Sequence, residues 1–161
     1  MSAEALIASI EKLLKLHRSL YELAIKKTDI IKNGDMEALS QMLNDEQTHI
    51  TAIEHMEKER QRAAKALAPQ NEQPKVSDCT KSLEVNDQDK FARLTDELVH
   101  LIFNLKEQNY LNQQLIYQSQ QFVNLSMSLL RPQTENINYG PPTKNIKPSD
   151  QNAQGMFNSK A

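Results

Sequence analysis

The sequence predicts an all-α protein: a long antiparallel helical hairpin, a third long helix packed on it in coiled-coil fashion, and a disordered C-terminal tail. Three observations lead there. Apolar residues recur at alternating spacings of three and four over long stretches, the a/d pattern of helices packed side by side. Only three Gly occur in 161 residues, and aromatics make up 5% with no Trp, so material for tight turns and pleated strands is scarce. All six Pro fall between Pro69 and Pro74 or between Pro132 and Pro148, and those two stretches read as a linker and a tail.

The first helix is expected over about 3–32. Leu6, Ile10, Leu13, His17, Leu20 and Ala24 form its seam, and Ile7, Leu14 and Tyr21 widen the apolar stripe. Ser2 is a candidate N-cap, and Glu4 suits the positive first turn. Asn33-Gly34-Asp35 ends this helix. Gly34 can take the left-handed conformation that closes a helix, and Asp35 can cap the next one. So short a connection makes the first two helices antiparallel neighbours.

The second helix is expected over 36–67, with the seam Leu39, Leu43, Glu46, Ile50, Ile53, Glu57, Arg60, Ala64 and Leu67. Met42, His49 and Met56 repeat every seven residues beside it. Three charged residues interrupt the seam, which predicts that the distal half is weakly packed or splays from its neighbour. A linker follows over 69–86, with a short helix from Ser77 to Leu83 capped by Ser77. The third helix is expected over 87–130, with Phe91, Leu94, Leu98, Leu101 and Leu105 as the seam of its first half. Pro132 stops it, and Arg131 suits the negative end of the helix dipole. Residues 1–131 thus form one helical domain. Residues 132–161 lack periodicity and read as a flexible tail.

Composition excludes several functions. The net charge is −2. Lys and Arg number 10 before Pro69 and 9 after it, while Asp and Glu number 11 and 10. Neither half has the basic footprint of a nucleic-acid binder. No run approaches about 18 apolar residues, so no membrane insertion is expected. Cys79 is the single cysteine, and the N-terminus has no basic-then-apolar leader, so a cytoplasmic location is expected.

One stretch departs from the background. A quarter of all residues are charged, yet none of the 23 from Gln108 to Leu130 is. At 100° per residue, Leu111, Leu115, Phe122, Leu125 and Leu129 lie on one flank and Ile116, Val123, Met127 and Leu130 on the other. Together they cover about 200°, against the roughly 100° that a single core face needs. Tyr110 and Tyr117 stand nearly opposite. A helix apolar over so much of its girth needs two neighbours, and one hairpin covers one face. The spare face suits a helical partner bound through apolar, amide and hydroxyl groups. A second reading places both faces inside the chain's own bundle or in a homodimer.

The residues offer no catalysis. Gly34, Gly140 and Gly155 are isolated, so no phosphate loop exists. His49 and His55 lie on different faces of one helix and share no metal. His17 reads as a seam histidine, and His100 lacks the flanking Lys and Gly of a phosphotransfer site. Cys79 in a polar linker reads as incidental, and Met36, Met42 and Met56 as core fillers. The expectation is a non-enzyme without cofactor or metal.

The pattern resembles the FlgN-type flagellar export chaperones of bacteria over residues 1 to about 131. Three features carry it: Leu13-Leu14-Lys15-Leu16-His17-Arg18-Ser19-Leu20-Tyr21 with Lys26-Lys27-Thr28 and the Asn33-Gly34-Asp35 break; Glu46-Gln47 with Glu57 to Arg60; and Leu105-Lys106-Glu107-Gln108-Asn109-Tyr110-Leu111-Asn112-Gln113-Gln114-Leu115 with Phe122-Val123. The ending Phe157-Asn158-Ser159-Lys160-Ala161 is similar to that of Bacillus-type members. The resemblance implies a chaperone that holds hook-associated axial proteins of the hook–filament junction, keeps them unpolymerised and delivers them to the type III export apparatus. It implies substrate binding by Leu111, Leu115, Ile116, Phe122, Val123, Leu125, Met127, Leu129 and Leu130. It also implies docking of Tyr139-Gly140-Pro141 on the export gate or the export ATPase complex. The competing expectation is a self-associating coiled-coil adaptor, a homo-oligomer without an export role.

Overall fold

The computed structural model describes residues 2–131. It contains helices α1 (Ser2–Asn33), α2 (Met36–Leu67), α3 (Val76–Lys81) and α4 (Val85–Leu130), and no strand among the described residues. The all-α expectation therefore holds. The tail and its Tyr139-Gly140-Pro141 lie outside the described residues.

The α1–α2 turn follows from its sequence. Gly34 has φ 68°, a conformation that costs a residue bearing Cβ about 1 kcal/mol or more. It lets the Gly34 amide donate to the Ile31 carbonyl and the Asp35 amide to the Ile30 carbonyl, at 3.1 and 3.3 Å. This is the paired closure of a Schellman cap. The Asp35 carboxylate then accepts from the Ala38 amide at 2.9 Å and opens α2. One dipeptide closes one helix and starts the next.

α1 is the central helix. α2 and α4 both pack on it and scarcely touch each other. α2 runs antiparallel to α1, as Ser19 meets His49 and Lys27 meets Glu46. α4 runs parallel to α1, as Glu11 pairs with Lys90, Arg18 with Glu97, and Thr28 with Asn112. α2 has brought the chain back to the starting end of α1, where Ala63 and Ala64 meet Leu6 and Ile10, and a turn there sends α4 up beside α1. Residues 68–84 carry it, and they are built rather than loose. The Asp78 carboxylate accepts from the Lys75 amide at 3.0 Å and from the Asn71 side chain at 2.9 Å. α3 therefore starts after Lys75, not at Ser77.

The core thins along α1. At the closed end Leu6, Ile7 and Ile10 meet Ala63 and Ala64 of α2, Cys79 of α3, Leu83 between α3 and α4, and Phe91 of α4. Burial of each large side chain there contributes about 1.5–3 kcal/mol. Midway the core narrows to Leu20, Ala24 and Leu105. Beyond that the contact between α1 and α4 becomes polar. Two expectations are corrected here. The distal half of α2 does not splay, because Ala63, Ala64 and Ala68 are buried against the closed end; small side chains let the helices approach there. Cys79 is not a linker thiol, because it is 2% exposed and part of the core.

The seam of α2 is also corrected. The side turned to α1 reads Met42, Glu46, His49, Ile53, Met56, Arg60, Ala63 and Leu67, all buried or half-buried, whereas Leu43 and Ile50 are exposed. The methionine–histidine repeat is the packed stripe. Its charged members are satisfied: Glu46 receives Lys27 at 3.0 Å, with both side chains largely covered, and Glu57 chelates Arg60 within the helix.

Candidate binding surface

The charge-free stretch of α4 divides along its length. Its first part sits on α1 through a polar clasp. Asn112 is 2% exposed. Its amide nitrogen donates to the Ala24 carbonyl at 2.8 Å, and its oxygen accepts from the Thr28 hydroxyl at 2.5 Å. That hydroxyl in turn accepts from the Gln108 amide at 2.6 Å. Buried amides and hydroxyls cost several kcal/mol without partners, and here each has one.

The second part has no helix beneath it. Thr28 lies level with Asn112, so α1 ends at Asn33 level with about Tyr117. From there to Leu130, α4 overhangs the last turn of α1 by about 20 Å at the usual helical rise. Every residue of 117–130 is exposed except the half-buried Ser126. The overhang offers Phe122, Val123, Leu125, Met127, Leu129 and Leu130 to solvent, with Phe122 71% and Leu130 82% exposed. Single exposed apolar residues are ordinary; here they form a contiguous set on one projecting helix.

The nine site residues expected from the sequence therefore separate. Leu115 and Ile116 are half-buried at the root of the overhang, Leu111 is exposed beside them, and the other six project beyond. The flank of Ile116, Val123, Met127 and Leu130 continues the line of α4 that faces α1. Leu111, Phe122, Leu125 and Leu129 lie on the flank that carries Lys90 and Glu97 lower down. The expectation that the hairpin would cover one whole face is corrected: past Tyr117 neither face is packed, and only residues 119–124 look toward the hairpin tip, across an open cavity, because α1 is shorter than α4.

The sequence reading missed a second feature, a furrow where α2 and α4 diverge. Its lower part is a cavity of about 760 Å³ with Ile50 on one wall and Ile102 and Lys106 on the other. Its upper part, about 610 Å³, lies between the hairpin tip and α4 and is lined by Ile31, Met36, Leu39 and Val123. The signal was available in Leu43 and Ile50, which belong to a seam that α1 does not take up.

The titratable groups have structural roles. His49 donates from Nδ1 to the Asp45 carbonyl, so its Nε2 accepts from the Ser19 hydroxyl, both at 2.8 Å. His17 and His100 each donate to a carbonyl one turn back. Burial pushes the Cys79 thiol above its ordinary pKa, and the nearby Arg60 only partly offsets this. Among the described residues no three His, Cys, Asp or Glu side chains gather as a metal site, and no helix is long and apolar enough to cross a membrane.

The family model described as "FlgN protein" matches residues 1–145. The chain is 31% identical over 161 residues, covering all of both chains, to a Bacillus subtilis (strain 168) protein named "Uncharacterized protein YvyG". No solved structure matches the chain.

Proposed function

The chain belongs to the FlgN family of flagellar export chaperones, and on that premise we propose that it holds a hook-associated protein of the hook–filament junction on the α4 overhang. The family is one of chaperones and not of enzymes. The observation that supports the specific assignment is the bare overhang. Phe122, Leu125 and Leu129 on one flank and Val123, Met127 and Leu130 on the other need a cover that α1 does not provide.

Terminal segments of axial proteins are amphipathic helices that coil together in the filament. A helix presenting apolar side chains at three- and four-residue spacings offers them a substitute partner. A segment that folds on binding loses ordering entropy, which moderates affinity and allows release. Held in this way, the substrate stays unpolymerised in the cytoplasm until delivered to the export gate or export ATPase complex. The Tyr139-Gly140-Pro141 motif is the candidate dock for that delivery.

Pull-down of a purified hook-associated protein by the full chain tests the reading. Phe122→Asp and Leu129→Asp are expected to lower capture at least tenfold with helicity by circular dichroism retained. Capture unchanged by both removes the overhang from the binding site. A self-associating adaptor would instead give a stable dimer or trimer by light scattering, with no capture.

A further inference from the structure

The furrow between α2 and α4 has the form of a bundle from which one helix is missing. On α2, Met36, Leu39, Leu43, Glu46 and Ile50 follow at spacings of three and four. On α4, Ile102, Lys106, Asn109, Gln113, Ile116, Gln120 and Val123 follow at four and three. Apart from Leu43, which continues the α2 row, all of these line the two furrow cavities. Two facing a/d rows form the holes into which a third helix inserts its knobs. The other flank of the α1–α4 junction is closed by the Arg18–Glu97 and Lys90–Glu11 pairs; the furrow flank carries no such bridge among the described residues.

From these rows we infer that the furrow receives one amphipathic helix of the bound hook-associated protein, completing a four-helix arrangement with α1, α2 and α4. This rests on the export-chaperone reading and extends the site well below the overhang. The α4 wall from Ile102 to Val123 spans about 32 Å, which sets a helix of about 21 residues. The chemistry of the occupant follows from the walls. Against α2 it places apolar residues, since Glu46 is already neutralised by Lys27. Against α4 it places small polar or apolar residues that suit Asn109, Gln113 and Gln120. Opposite Lys106 it places a carboxylate, because Lys106 is the one cation of that wall and pairs with no acid among the described residues.

Calorimetric titration of the full chain with a purified hook-associated protein tests this. Ile50 and Ile102 are partly exposed, so Ile50→Lys and Ile102→Lys leave the helices intact, as circular dichroism checks. Each is expected to weaken binding at least tenfold, and Lys106→Glu at least threefold. Affinity unchanged in Ile50→Lys and Ile102→Lys overturns the furrow. If Phe122→Asp still abolishes binding in that case, the chaperone reading stands and only the furrow falls. If none of these variants changes binding, both fall. Should Ile50→Lys and Ile102→Lys instead lower the mass of a self-associated species without changing substrate affinity, a second copy occupies the furrow and the inference is wrong.

Discussion

Asn112 of α4 and Thr28 of α1 share a buried hydrogen bond of 2.5 Å at the level where the apolar contact between the two helices ends. About five residues above this pair α1 ends at Asn33, and α4 runs on alone. A single buried amide at a seam position sets register in coiled coils, and Asn112 occupies the corresponding place between α1 and α4. Asn112→Ala removes the amide bridge to the Ala24 carbonyl and the Thr28 hydroxyl, which keeps Gln108 and the Ala24 carbonyl as partners, and opens a cavity, so a loss of about 1–3 kcal/mol is expected in urea unfolding. Asn112→Leu, which replaces the amide by a similar volume of hydrocarbon, is expected to restore most of that stability. If Asn112→Ala melts like the parent, the clasp does not hold α4 in place.

Gly34 has open space where a Cβ would lie, so only its backbone conformation resists substitution. Gly34→Ala is expected to cost about 1 kcal/mol, and Gly34→Asn less, since Asn tolerates the left-handed region. Chemical denaturation of the three proteins checks the order.

The Arg60 guanidinium, hydrogen-bonded to Glu57 at 2.8 and 2.5 Å, holds that carboxyl below its ordinary pKa against the opposing effect of burial. A carboxylate whose folded pKa lies below its unfolded value of about 4.3 stabilises the fold above that value. The contribution is lost as pH falls through the folded pKa. Glu57→Gln should therefore lower the melting temperature near neutral pH, by the equivalent of about 0.5 kcal/mol for a partly exposed i,i+3 pair. The difference should vanish in acid. A deficit independent of pH would assign the effect to packing.

Cys79 lies within the closed-end core, and its raised pKa leaves little thiolate at neutral pH. Native protein should react with a thiol reagent far more slowly than protein in denaturant. Equal rates would place α3 outside the core.

The long periodic segments were legible because period and caps act locally. The Gly34-Asp35 turn, the α1 seam and the Phe91–Leu105 seam all follow from neighbouring residues. What was not legible depends on distant geometry. Met42, His49 and Met56 face α1 in place of Leu43 and Ile50 because α4 leaves one side of α2 open. The burial of Cys79 depends on α3 folding back over the closed end. Leu111 to Leu130 was identified from its missing charge and its two apolar flanks. That the division runs along the helix rather than around it follows from the relative lengths of α1 and α4.

The most direct test of the binding surface is amide hydrogen exchange on the full chain, with and without a hook-associated protein. In the free chain, residues 117–130 should exchange within the fastest class, and Phe91 to Leu105 in the slowest. On binding, protection should rise most over 117–130. Protection that leaves 117–130 unchanged and appears elsewhere would contradict the account.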